Sequence, residues 1–209
     1  MPLIGDMRAI HLLAPALLAF ALAGCPNNGV PLPKLGANDV IVAFGDSLTY
    51  GTGAAENESY PAVLAQLTGR QVVRAGVPGE TSAQALQRLP EVLDEYKPRL
   101  VIVCLGGNDM LRKLNEAETM ANLRAIVRRA KDSGAAVVLV GVPRPALLTS
   151  APKFYAEIAQ EFGIPYEGAV VTSVLYKPEL KSDPIHPNAQ GYRKIAEALA
   201  ALLRKAGAV

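Results

Sequence analysis

The chain has 209 residues, of which 50% are hydrophobic, which suits one domain with a sizeable core rather than two. Charged residues make up 19%, the formal net charge is +2, and no basic run is interleaved with aromatics. That composition argues against a nucleic-acid partner and leaves the charge as a diffuse surface feature.

Residues 1–25 form a class of their own. Arg8 precedes an apolar run from Ile10 to Leu22, broken only by His11 and Pro15 and followed by Ala23-Gly24-Cys25. A basic start, a short apolar region and small residues make the pattern of a secretory signal peptide. The run is too short and too interrupted for a transmembrane helix. Leu22-Ala23-Gly24-Cys25 resembles a bacterial lipobox, which implies lipidation of Cys25 as the mature N-terminus; ordinary signal cleavage is the alternative. Residues 26–36, rich in Pro, Asn and Gly, read as a flexible tether, and 37–209 as the folded domain. Acyl chains on Cys25 would hold the protein at a membrane surface without spanning it, placing it in the cell envelope, periplasmic or at the outer surface. With the leader removed, Cys104 in a buried strand is an inert small hydrophobe, and no Cys/His cluster has metal-ligand spacing.

Past the tether, strand and helix signals alternate. Val40-Ile41-Val42-Ala43-Phe44 runs into Gly45-Asp46-Ser47 and reads as a buried strand closed by turn residues, with Ser47 at its end. Tyr60-Pro61 opens a helix ended by Gly69, since proline at the first turn has no N–H to lose. A second strand follows at 71–77. A helix capped by Thr81-Ser82 then runs to Tyr96, with Ala85, Leu86, Leu89, Val92 and Leu93 on one face. Strands are expected at 100–105, 136–142 and 164–166, and helices at 116–132, 151–162 and 188–205. Strands separated by helices of this length imply βαβ units. The expected class is α/β: a three-layer α/β/α arrangement on a parallel sheet of about five strands.

In such a sheet the loops at the carboxyl ends of the strands meet at one edge. Here they carry Gly45-Asp46-Ser47, Gly76-Val77-Pro78-Gly79-Glu80-Thr81, Gly106-Gly107-Asn108-Asp109 and the segment after Pro143. Glycine permits tight turns and close backbone approach. Nucleotide binding is disfavoured, because neither Gly-x-Gly-x-x-Gly nor the P-loop pattern occurs. His186 is the only histidine outside the leader, in Asp183-Pro184-Ile185-His186-Pro187. Serine is a weak nucleophile until an imidazole takes its proton, and a carboxylate three residues before the histidine can hold the ring's tautomer. Ser47, His186 and Asp183 are therefore the candidate nucleophile, base and orienting acid. Their order matches the α/β-hydrolases, but Gly-x-Ser-x-Gly is absent, so the nucleophile elbow is not of that type.

Gly45-Asp46-Ser47-Leu48, Gly79, Gly106-Gly107-Asn108-Asp109 and Asp183-Pro184-Ile185-His186-Pro187 resemble, in order and spacing, the successive blocks of the GDSL or SGNH hydrolases. Residues 75–82 and the terminal helix further resemble the bacterial arylesterase/thioesterase/lysophospholipase branch. The family's second-block asparagine position is occupied by Arg74 or Ala75, depending on alignment. The resemblance implies a flavodoxin-like sheet and a Ser47–His186–Asp183 triad. It also implies an oxyanion hole from the Ser47 and Gly79 backbone N–H groups and the Asn108 side-chain amide. Asp46 and Asp109 are read as supports that tie loops together. Leu147 and Leu148, beyond Pro143, could line an acyl pocket or simply cover the core.

The activity expected is hydrolysis of carboxylic esters or thioesters (aryl, short-to-medium acyl or lysophospholipid) through an acyl-Ser47 intermediate. It needs no metal or organic cofactor and no protein partner. A carbohydrate or cell-wall O-acetylesterase is the rival within enzymes. A non-catalytic, lipid-tethered binding module is the rival outside them.

Overall fold

Ile41, Val42, Ala43 and Phe44 are all shut off from solvent, so the first strand, β1 (Val40–Gly45), is dry on both faces. Only a central strand covered by helices above and below can be so. The computed structural model describes residue 1 and residues 29–144 and 150–209. In it a five-stranded sheet has the order β2-β1-β3-β4-β5, with every pairing parallel. The strands after β1 are β2 (Gln71–Gly76), β3 (Leu100–Cys104), β4 (Ala136–Val140) and β5 (Tyr166–Glu167). The helices are α1 (Ser47–Tyr50), α2 (Tyr60–Thr68), α3 (Ser82–Tyr96), α4 (Gly107–Leu111), α5 (Glu116–Asp132), α6 (Lys153–Phe162), α7 (Val170–Tyr176) and α8 (Ala189–Lys205). α2 packs on α8, and α3 on α5, giving the three layers expected.

The chain leaves β1 for β2 on one side and then crosses to β3 on the other. The strand order therefore reverses at the boundary between β1 and β3, and the crevice of an open α/β sheet lies at such a switch point. In register, Gly45 pairs with Gly76 on one side and Cys104 on the other, so three strand ends come level. A Cβ at Gly45 would collide with the Thr49 hydroxyl and the Cys104 carbonyl, because α1 sits directly on the strand ends. Glycine at this position is a steric requirement.

The Thr81 cap and the Gly69 stop read from the sequence operate as expected, and Gln84 and Asn188 add caps of their own. Thr81 and Gln84 form a reciprocal capping box at the start of α3, Asn188 caps α8 through the Gly191 N–H, and Gly69 ends α2 at φ 63. Pro90 lies inside α3, where it deprives the Leu86 carbonyl of its helical donor; Arg129 Nη1 supplies a replacement at 3.3 Å. Three short helices escape the sequence reading: α1, α4 and α7.

The expected tether at 26–36 is shorter than composition suggested. Leu32 N–H donates to Ala206 O and Leu35 N–H to Ala208 O, both at 2.9 Å, and the Leu35 side chain is 2% exposed. The described part of this segment is docked on the end of α8, and it enters β1 from the amino edge of the sheet. Leu35→Ala should therefore lower the unfolding free energy by about 2–3 kcal/mol, as for other buried leucines, measured by urea denaturation. A free tether would leave the midpoint unchanged.

Candidate active site

Ser47 is the first residue of α1, two residues past the end of β1. Asp46 caps that helix: its Oδ1 accepts the Leu48 N–H at 3.0 Å. Ser47 N–H, in the opening turn, has no intrahelical acceptor. The serine hydroxyl thus stands on a helix N-terminus that also offers backbone donors.

His186 comes to it from the other end of the chain. Its Nε2 lies 3.0 Å from Ser47 Oγ, and its Nδ1 2.7 Å from Asp183 Oδ2. A carboxylate can only accept, so the proton resides on Nδ1 and the lone pair of Nε2 faces the serine hydroxyl. Asp183 Oδ1 accepts the backbone N–H groups of Ile185 at 2.9 Å and His186 at 2.8 Å, which winds the turn tightly around the carboxylate. Burial pushes the Asp183 carboxyl up, but the bonds from His186 and these two N–H groups together hold it below its ordinary value. Prolines on either side and the Asn188 cap of α8 complete the support. The imidazole side chain is 14% exposed.

Asn108 is on α4, just past β3, and shares a cleft with Asp46, Ser47 and His186. Its Nδ2 donates to the Glu80 carbonyl at 3.0 Å and to Asp46 Oδ2 at 3.3 Å. Gly106, at φ 101 and packed against the Tyr155 hydroxyl, lets the chain turn from β3 into α4. Gly79 is not among the residues that line this cleft; it lies in the adjoining turn at φ 78, and its carbonyl accepts from Arg112 Nη2 at 2.7 Å. Asp109 accepts the Ser82 N–H at 2.9 Å and the Ser82 hydroxyl at 2.6 Å, tying α4 to the start of α3. Asp46 and Asp109 thus each join two loops through hydrogen bonds.

Leu48, Leu111, Val142, Pro143, Leu175 and Ile185 form the apolar wall. The sequence reading missed most of them. Leu111 and Leu175 lie on α4 and α7, two of the three unrecognised helices, whereas Ile185 sits within the histidine block in plain view. Leu147 and Leu148, the expected acyl-pocket leucines, and Cys25 lie outside the described residues. Among the described residues no group of three His, Cys, Asp or Glu side chains is placed to hold a metal ion.

A serine hydroxyl, an imidazole and a carboxylate in line at the switch point of a parallel α/β sheet define a serine hydrolase. Residues 43–194 match the model of the GDSL-like Lipase/Acylhydrolase family, and the chain belongs to that family. It is 33% identical over 179 residues to the thioesterase 1/protease 1/lysophospholipase L1 of Escherichia coli strain K12, covering 82% of this chain and 86% of that one. It is 31% identical over 180 residues to an arylesterase of Vibrio mimicus, covering 81% and 90% respectively. Among solved structures, the SGNH-hydrolase esterase AlinE4 is 33% identical with a TM-score of 0.62, covering 83% of this chain and 98% of that one. The structure of TesA is 27% identical with a TM-score of 0.71, covering 80% and 99%. The protein is an ester hydrolase of the GDSL type.

Asp46 carries a measurable signature. Burial pushes its carboxyl from 3.8 up to about 7, against the Leu48 N–H, and the charges of Glu80 and Asp109 push in the same direction. The unfolded chain therefore loses this proton near pH 4 while the folded chain keeps it to about pH 7, so the group's stabilising effect fades as pH rises between them. Asp46→Asn removes that slope. Its thermal midpoint, compared with wild type from pH 4 to 8, should gain on wild type as pH rises, by roughly a few kcal/mol of unfolding free energy in total. Parallel profiles would show that Asp46 ionises normally in the fold.

Proposed function

We propose that the protein hydrolyses carboxylic esters or thioesters bearing an apolar acyl group, with Ser47, His186 and Asp183 as its triad and Ser47 N–H, Gly79 N–H and the Asn108 amide as oxyanion donors. The observation that carries the reading is the unbroken line Ser47 Oγ–His186 Nε2–His186 Nδ1–Asp183 Oδ2, with separations of 3.0 and 2.7 Å at its two hydrogen bonds. Ser47 Oγ attacks the acyl carbon as its proton passes to His186 Nε2. The carbonyl electrons move onto oxygen, where preorganised donors stabilise them. Asp183, held ionised by its donors, favours the imidazolium that forms. The tetrahedral adduct collapses, the leaving alcohol or thiol takes the proton from Nε2, and an acyl-Ser47 ester remains. Water then attacks that ester by the same route in reverse, releasing the carboxylic acid and restoring the hydroxyl.

The apolar wall of Leu48, Leu111, Val142, Leu175 and Ile185 supports an acyl substrate over a polar sugar acetate. The relatives named as thioesterase, lysophospholipase and arylesterase point the same way. A fluorophosphonate probe should label the wild type, and Ser47→Ala should not label. Asn108→Ala should reduce kcat on p-nitrophenyl acyl esters by about 10²–10³, and His186→Ala by about 10⁴ or more. Equal labelling of wild type and Ser47→Ala would overturn the mechanism, and faster turnover of acetylated glycans than of acyl esters would overturn the substrate.

The apolar leader and the Leu22-Ala23-Gly24-Cys25 tetrad support a second part of the proposal, a signal peptide and a lipid on Cys25 that holds the enzyme at a membrane surface of the cell envelope. The described chain enters the fold at the amino edge of the sheet, opposite the Ser47 cleft, so such an anchor would leave the cleft clear of the attachment point. Radiolabelled palmitate should be incorporated by the wild type and lost in Cys25→Ala; label surviving that substitution rules the anchor out.

A further inference from the structure

One ion pair beside the site has no part in the mechanism above. Arg88, in the middle of α3, grips the Glu80 carboxylate at both oxygens, Nε to Oε1 at 2.8 Å and Nη2 to Oε2 at 2.7 Å. The Glu80 side chain is 6% exposed and that of Arg88 23%. The same guanidinium donates to the Ala75 carbonyl of β2 at 3.2 Å and lies 4.5 Å from the centre of the Phe44 ring in β1. Buried ion pairs of this kind are weak contributors to stability compared with apolar packing. A bidentate Arg–carboxylate fork is, however, a good means of fixing geometry.

What it fixes is the backbone at Glu80. The Glu80 N–H closes a turn onto the Val77 carbonyl at 3.2 Å, and Arg112 holds the Gly79 carbonyl from the other side. The Glu80 carbonyl accepts Asn108 Nδ2 at 3.0 Å. A primary amide has two protons in one plane, so engaging one sets the direction of the other. The other meets only Asp46 Oδ2, at 3.3 Å, a long contact and therefore the easier one to give up.

We infer that Arg88 and Glu80 are positioning residues for the oxyanion donor: their ion pair holds the Glu80 carbonyl, and that carbonyl turns the Asn108 amide so that its second proton meets the charge forming on the Ser47 adduct. The inference rests on the reading of Asn108 as an oxyanion donor. Neither residue touches substrate. Because the oxyanion exists only after attack, misaiming the amide lowers kcat and leaves KM nearly unchanged.

A double-mutant cycle tests this. Arg88→Gln and Glu80→Gln, assayed on a p-nitrophenyl acyl ester, should each lower kcat by about tenfold with KM within about twofold. Arg88→Lys, which keeps the charge but not the fork, should fall between Arg88→Gln and wild type. In an Asn108→Ala background the same substitutions should change kcat by less than about twofold, since the group they aim is gone. A merely structural role would instead give the same fractional loss in both backgrounds, and that result, or no loss in either, overturns the inference. Thermal midpoints identify any variant that fails to fold, in which case Arg88→Lys carries the cycle. Failure of the parent reading looks different: Asn108→Ala itself would then turn over as wild type.

Discussion

A carboxyl group sealed inside the protein must find partners for its oxygens, and the partners of Asp46 are parts of the site. Its side chain, 2% exposed, accepts the N–H of Leu48 and touches the amide of Asn108. The first contact sets the start of α1 and so places Ser47. The second joins that helix to α4 across the boundary between β1 and β3. A buried carboxyl held by the Leu48 N–H at 3.0 Å has little freedom to leave the start of α1. Burial, together with the charges of Glu80 and Asp109, pushes the Asp46 carboxyl up to about 7, and its contacts are the two geometric ones just named.

The sheet makes this junction available. Parallel strands in register bring their carboxyl ends to one edge, and Gly45, Gly76 and Cys104 lie side by side there. Asp109 repeats the role of Asp46 one layer out, binding Ser82 through two contacts and so joining the α4 and α3 loops. The start of α1, the Asn108 amide and the Glu80 turn thus form one connected polar network. His186 arrives separately, on a turn wound around Asp183 and braced by the capped α8. Holding reacting groups within hydrogen-bond distance before substrate arrives removes an entropic cost from each turnover.

Long elements were legible because they carry a period or an unbroken apolar run. α3 and α5 show one buried face, and β1 and β3 are continuous apolar stretches. α1 and α4, with four and five residues, are too short for a helical period to appear. α7, Val-Val-Thr-Ser-Val-Leu-Tyr, is rich in β-branched residues and gives no helical signal of its own. The stretch before β1 was misread for a different reason. Its Pro, Asn and Gly content is that of a linker, and only the chain just beyond α8, through Ala206 and Ala208, turns Leu32 and Leu35 into anchored residues.

The sequence by itself determined the class of sheet, and it singled out the serine, histidine and aspartate proposed as nucleophile, base and orienting acid. Apolar runs ending in Gly-Asp-Ser and Gly-Gly-Asn-Asp mark strand ends wherever they fold, Asp183 and His186 are three residues apart, and the one other histidine in the sequence is His11. Only the tertiary structure decided how the Asn108 amide is turned, which apolar side chains wall the cleft, and that Arg88 reaches Glu80 and the ends of two strands. Those facts depend on distances between segments far apart in the chain, and such distances leave no periodicity or spacing for a linear reading to find. Gly45-Asp46-Ser47 could be recognised as the setting of the proposed nucleophile from its neighbours in sequence; the donors proposed for the oxyanion could be oriented only by their neighbours in space.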